Sequence, residues 1–243
     1  TPHTVGKFVL QLQTGVGVDW SEIDNLAPNE TYPSGFSLKQ EVQTVYNVTN
    51  LRFGITERIE LMGSLYGYRS QIEDTYTGLA ADTSFRLSAE AEDVDGEIGL
   101  RANLLHNMGS GLHVGVMMTT GLREEYLQPR LLLNYTFLDH HIVASNVAYT
   151  MYFEQERLRV LAYTFNYSYN FTRWGLFAEV YGVVSSSRLE SPIERAYDAG
   201  GFFLLNNDLQ FDVSLGYGAA SVHYPQASET HRAVFAEAGL TWR

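Results

Sequence analysis

Residues 206–219, NNDLQFDVSLGYGA, carry an apolar side chain at every second position. Leu209, Phe211, Val213, Leu215, Tyr217 and Ala219 alternate with Gln210, Asp212, Ser214, Gly216 and Gly218. A strand sends successive side chains to opposite faces, so this stretch predicts one greasy face and one polar face. A single strand of this kind fits many β folds. The constraint comes from recurrence. The pattern returns through 8–18, 36–55, 59–68, 94–104, 112–118, 131–137, 143–153, 161–171, 176–184, 197–205 and 234–242, which makes about twelve strands and no helix.

The connections sort by length. Short ones at 57–58, 107–111, 139–140, 172–174 and 206–208 alternate with longer polar ones at 21–35, 71–93, 122–127, 188–195 and 221–229. The short link at 154–156 is the exception. An irregularity is expected at 47–50, where the alternation slips by one residue. Short turns at one end and long loops at the other predict an all-β fold: a single antiparallel transmembrane β-barrel over 1–243, with short periplasmic turns and longer extracellular loops. Residues 1–5 form an N-terminal tail, and 71–93 the longest extracellular loop or an extended hairpin.

Twelve strands enclose a cylinder too wide to fill with apolar side chains alone. The greasy faces, rich in the chain's 16 Tyr and 13 Phe, are therefore expected to meet lipid, with the polar faces lining the bore. Trp20, Trp174 and Trp242 fall near predicted strand ends, where an amphipathic ring favours the membrane–water interface. No run of apolar residues is long enough for a transmembrane helix. Cysteine is absent, which removes disulfides and thiolate chemistry together. A formal net charge of −12 argues against a nucleic-acid partner. A chain that begins at Thr1 with no leader segment reads as a mature exported protein or a trimmed one.

Four segments, LRFGITERIEL (51–61), EDVDGEIGLRANLL (92–105), NNDLQFDVSLGYG (206–218) and FAEAGLTWR (235–243), resemble a bacterial outer-membrane family labelled for a MetA pathway of phenol degradation. A fifth, TTG (119–121), matches partially, lacking the family's preceding Pro. The closing Trp242-Arg243 departs from the usual final aromatic. The resemblance implies outer-membrane transport of small, aromatic or apolar compounds.

Placing strands by their short-turn ends brings a set of inward polar residues to similar height: Gln11, Arg101, Arg130, Asn134, Asn146, Asn166, Glu179, Asp198, Asp212 and Glu237. The bases fall on the fourth and sixth strands and most acids on the ninth to twelfth, with Glu97 breaking the segregation near Arg101. This belt reads either as a constriction with a transverse field or as charges that pair and fill the barrel. Glu90, Glu92, Asp93 and Asp95 offer oxygen ligands for Ca²⁺, without any EF-hand spacing, so no metal is assigned. His141 and Ser145 share a lipid-facing side and are the best pair for a lipid-modifying barrel enzyme, but no third partner or nucleophile motif accompanies them. No cofactor is called for.

The reading is a passive outer-membrane channel or transporter for small molecules. Its alternative is a non-conducting structural or partner-binding barrel, closed by a loop or by residues 1–5. Outer-membrane lipid and lipopolysaccharide are the expected surroundings, a small molecule the expected solute, and the extracellular loops the place for a protein partner.

Overall fold

The computed structural model describes residues 5–27, 36–78, 84–106, 111–123, 125–153, 159–186, 193–224 and 227–242, and all of its regular structure is strand. The strands are β1 (Leu10–Ala27), β2 (Phe36–Gly54), β3 (Ile59–Gly78), β4 (Ser84–His106), β5 (Leu112–Gly121), β6 (Tyr126–Phe137), β7 (His141–Tyr152), β8 (Arg159–Asn170), β9 (Trp174–Ser186), β10 (Ile193–Leu204), β11 (Leu209–Tyr224) and β12 (Ala227–Trp242). Each pairs antiparallel with its chain neighbours, and β1 pairs with β12 to close the barrel. Closure leaves no strand edge without hydrogen bonds, as a hydrocarbon surrounding requires.

Alternation decides which chemistry faces where. Val16, Leu65, Val94, Leu100, Phe165 and Leu215 each expose about half their surface or more on the outside of the wall. The enclosed residues are instead mostly polar: Gln11, Glu60, Arg101, Asn103, His113, Thr119, Asn134 and Thr150. A water-soluble barrel has the opposite arrangement. From Leu10 to Trp20 the outer apolar face of β1 rises roughly 25 Å, given about 3.3 Å per residue and a tilt of about 40°. That matches the height of a hydrocarbon core. Trp20 stands at the long-strand rim of this belt, and Trp174 and Trp242 stand at the short-turn rim, all exposed. Around Trp174 the rim is continuous aromatic: the Phe171 ring stacks on it at 3.6 Å, and Tyr169 meets Phe171 edge-on at 4.5 Å.

Segments read from sequence as polar loops at 21–35 and 221–229 are in part strand, and 71–93, read as a loop or an extended hairpin, pairs as a hairpin. Pairing runs on through Asp24↔Lys39 in β1–β2, Gln71↔Glu90 in β3–β4 and Val222↔Glu229 in β11–β12. The cause is a change of phase. Within the belt the apolar residues of β1–β4 point outward, for example Trp20, Val45, Leu65 and Val94. Beyond it they point inward, at Ile23, Val42, Ile72 and Ala91, while charged side chains take the outer face. Lys39 there bridges Glu22 at 3.3 Å and Glu41 at 2.8 Å, and Arg69 pairs with Glu90 at 2.9 Å. The ammonium of Lys39 holds the Glu41 carboxyl below the usual carboxylate range. Outside lipid, water wets the outer face, so alternation survives but its polarity reverses.

The irregularity expected at 47–50 is absent: Asn47 to Asn50 keep unbroken register with both β1 and β3. The wall's shift lies elsewhere, between Asn103 and Leu105 on β4. A second interruption follows from Pro129, which has no N–H to donate. Pairing of β6 with β7 lapses between Leu127↔Met151 and Arg130↔Ala148, and the Gln128 side-chain amide spans the gap to Thr150 Oγ1 at 2.5 Å.

Candidate functional site

The bore has two chemically different sides. On β1–β4 a carboxylate organises the lining. Glu60 is fully enclosed and accepts two hydrogen bonds from Arg52, Nε to Oε1 and Nη2 to Oε2, both 2.9 Å. Arg101 Nη1 approaches Oε1 at 3.1 Å from β4, and Arg52 Nη1 also donates to Gln11 Oε1 at 2.9 Å. The backbone N–H of Val5 donates to Glu60 Oε2 at 2.9 Å, so the chain ahead of β1 turns back into the bore. Two guanidinium groups around one carboxylate satisfy a charge that would otherwise be very costly to enclose.

A second group sits beside it. Arg101, Met117 and Arg130 occupy one cross-strand row of β4–β6. Arg130 Nη2 lies 3.8 Å from Glu97 Oε2, which also accepts from the Tyr126 hydroxyl at 2.9 Å. Arg130 Nε donates to Gln128 Oε1 at 2.5 Å. Every inward arginine on this side therefore has a carboxylate partner.

The opposite side does not. Asp19, Glu179, Asp198, Asp212 and Glu237 point inward from β1 and β9–β12, and no lysine or arginine among the described residues of β8–β12 and β1 points inward with them. Asn166, Glu179, Asp198, Gly216, Phe235 and Asp19 form one row across these strands. Asn166 Nδ2 donates to Glu179 Oε2 at 3.3 Å, and the Tyr46 hydroxyl donates to Glu237 Oε1 at 2.5 Å. Asp198 Oδ1 and Asp212 Oδ1 are enclosed without a hydrogen-bond partner among the described residues. The bore is thus compensated on one side and negative on the other.

Large inward rings do not fill this space, because glycines on neighbouring strands let them lie against the wall. A Cβ on Gly17 would stand 2.2 Å from Tyr46 Cζ, one on Gly216 2.0 Å from Phe235 Cζ, and one on Gly200 2.6 Å from Phe177 Cζ. Each ring occupies the space that a side chain on its partner glycine would need.

Of the other residues singled out from sequence, Asn134 is enclosed with its Oδ1 unsatisfied among the described residues. Asn146 hydrogen-bonds Thr164 across β7–β8. His141 and Ser145 lie about 13 Å apart along β7, by the strand rise. Each has another partner: His141 Nδ1 meets the Tyr167 hydroxyl at 2.7 Å, and Ser145 donates to the Thr164 carbonyl at 3.0 Å. They form no dyad. The four carboxylates considered for Ca²⁺ divide between faces, with Glu90 and Glu92 outside and Asp93 and Asp95 inside, so they cannot converge on one ion. Arg52, Glu60 and Tyr46 escaped sequence reading. The first two sit inside the LRFGITERIEL segment, on the strands read at 36–55 and 59–68 either side of its short turn, and each alternates with outward apolar neighbours, Leu51 and Phe53 or Ile59 and Leu61. Thr1 to Thr4 lie outside the described residues.

No family model and no curated protein sequence matches the chain. Solved structures match by fold. The deltaS2 mutant of the TodX monoaromatic hydrocarbon channel aligns at TM-score 0.58 and 9% identity, covering 98% of this chain and 91% of that one. A Pseudomonas aeruginosa FadL homologue aligns at TM-score 0.52 and 7% identity, covering 96% and 90%. The NanC porin aligns at TM-score 0.50 and 10% identity, covering 93% and 99%. Most of these neighbours are channels or porins, although the Escherichia coli outer-membrane protease OmpT is also among them at TM-score 0.44 and 8% identity. At such identities the likeness is one of fold: the all-β barrel of outer-membrane proteins.

Proposed function

We propose that this chain is a passive channel of the bacterial outer membrane, through which small molecules cross down their gradient. The observation that carries the reading is the division of faces: an exposed apolar belt outside, and a polar, charged bore inside. In this orientation the short turns face the periplasm, and the long strands project outside the cell among lipopolysaccharide. Rings held flat over Gly17, Gly200 and Gly216 favour an unfilled passage over a packed core. The resemblance of 51–61, 92–105, 206–218 and 235–243 to the phenol-degradation family supports small aromatic or apolar compounds as solutes. The fold shared with a monoaromatic hydrocarbon channel is consistent with that class.

Gln11, Glu97, Arg101, Arg130, Asn134, Asn146, Asn166, Glu179, Asp198, Asp212 and Glu237 line the passage in this reading. Its field runs from the arginine side to the acidic side. Planar-bilayer recording tests both parts. Discrete conductance with cation preference is expected, and Asp198→Asn with Glu237→Gln should reduce that preference. A folded protein without conductance overturns the channel, and unchanged selectivity in the variant removes the field.

The hydrogen bond from Val5 to Glu60 favours a second reading, a barrel closed at its periplasmic end by the N-terminal segment. Deleting residues 1–7 separates the two. Conductance that appears only after deletion identifies a plug.

A further inference from the structure

A cavity of ≈310 Å³ opens off the bore between β9, β10, β11, β12 and β1. Its back is one cross-strand row of small residues, Ala196, Gly218 and Ala233, flanked in the same row by Tyr181 on β9 and Ser21 on β1. A Cβ on Gly218 would meet those of Ala196 and Ala233 at 3.6 and 3.8 Å, so the recess exists because these side chains are short. The next row down holds Asp198, Phe235 folded over Gly216, and Asp19, and of these Asp19 lines the recess itself. Tyr181 gives the recess an aromatic side as well as an acidic one, and its ring stands 6.3 Å from that of Phe235 in the row below, inclined by 53°. Ser21 hydrogen-bonds the Asp19 carboxylate.

We infer that this recess is a binding subsite for small organic cations: a protonated amine on a short apolar or aromatic body. Three features select that class together. The volume lies at the small end of ligand pockets, so it suits about one ring and a short substituent. Alanine, glycine and aromatic walls accept an apolar body and repel nothing but charge. The carboxylates on its bore side gather below it: Asp19 lines the recess, Asp198 lies directly beneath, and Glu237 and Asp212 follow. Of the two basic residues that also line it, Arg195 pairs with outward-facing Ala219 and so directs its guanidinium away from the bore, and His231 stands on the row beyond Ala233. An ammonium supplies N–H donors to carboxylates and is attracted to the face of Tyr181. A carboxylate-bearing ligand meets repulsion from Asp19 and Asp198 there, and a neutral alcohol of the same shape gains only the apolar contacts.

This inference rests on the bore being open to solutes, which brings the amine to the recess. Its test reads binding and not flux, so the two can fail separately. The full chain, refolded in detergent, is titrated calorimetrically with benzylammonium, benzyl alcohol and benzoate. Benzylammonium should bind saturably at one site, benzyl alcohol about tenfold more weakly, and benzoate not measurably, in keeping with the loss of a charged hydrogen bond. Asp19→Asn should weaken benzylammonium about tenfold and leave benzyl alcohol unchanged. Ala196→Leu fills the recess and should abolish both. Heat-modifiable migration on gels confirms that each variant is folded. No saturable heat with benzylammonium, equal affinity for the alcohol, or binding indifferent to Ala196→Leu each overturns the subsite, whatever the conductance shows.

Discussion

Arg52 holds Glu60 in a parallel two-pronged grip, Nε to Oε1 and Nη2 to Oε2 at 2.9 Å each, where no surface of Glu60 reaches solvent. The pair ties the end of β2 to the start of β3 across the turn at 55–58, and Arg101 and Val5 join the same carboxylate. One residue therefore gathers four segments of the short-turn end. Removing the arginine leaves an enclosed carboxylate with only Arg101 to compensate it. Arg52→Met is expected to destabilise the barrel by about 3–5 kcal/mol. Arg52→Met with Glu60→Leu should recover a large part of that loss, because the stranded charge goes with its partner. Urea unfolding in lipid vesicles measures both, and a double variant no more stable than the single one contradicts the account.

Tyr46 reaches across Gly17 to donate to Glu237 at 2.5 Å, and the glycine is what lets the ring lie flat. Gly17→Ala drives a methyl into the space of Tyr46 Cζ, so the ring must swing into the bore and release Glu237. Single-channel conductance should fall. In Gly17→Ala with Tyr46→Ala it should return to at least the original level. Unaltered conductance in Gly17→Ala means that Tyr46 does not border the narrow part of the passage.

Most of this barrel was legible in the sequence for one physical reason: lipid outside and water inside impose a period of two on every crossing strand. Within the belt the strands, their faces and their order follow from segments such as 206–219. Legibility stops where the surroundings change. In β4, Ala89 and Ala91 face in while Val94 and Ile98 face out, and that single-residue phase change resembles a loop when read without knowledge of the membrane edge. The site was less accessible still. Arg101 and Arg130 show themselves as charges on polar faces, but their partners depend on cross-strand register, which joins Glu60 to Arg101 and leaves Asp198 beside Glu179. Register over many strands is not written in any one of them. Glu60 also stands only two residues past the turn at 57–58, where a lone carboxylate at a strand end looks like an ordinary solvated one.

Leu215 and Ala219 share the outer face of β11, and Ala219 pairs directly with Arg232 while Leu215 pairs with Ala236. The first position lies within the apolar belt and the second beside a charge at its rim. Arginine at 215 should cost about 2–4 kcal/mol, and arginine at 219 no more than about 1 kcal/mol, because the penalty falls from the bilayer midplane to the interface. Unfolding of Leu215→Arg and Ala219→Arg in vesicles gives the comparison. Equal costs place both positions outside hydrocarbon, and the outward-facing belt then loses its meaning.

Pro129 breaks the β6–β7 ladder on the lipid side, and the Gln128–Thr150 hydrogen bond spans the break from the bore side at 2.5 Å. The two features predict a coupling. With proline in place, the side-chain bridge is the main polar link across that gap, so Thr150→Val should destabilise by about 1 kcal/mol or more, the value of a buried hydrogen bond. Pro129→Val supplies the missing N–H and allows the ladder to close, which should stabilise the seam and protect the Tyr149 and Thr150 amides from hydrogen exchange. In the Pro129→Val background the same Thr150→Val change should cost less, since the backbone then carries the link. A double-mutant cycle with no coupling between the sites shows that side chain and ladder act independently. The seam would then be held by its flanking pairs, Leu127↔Met151 and Arg130↔Ala148, alone.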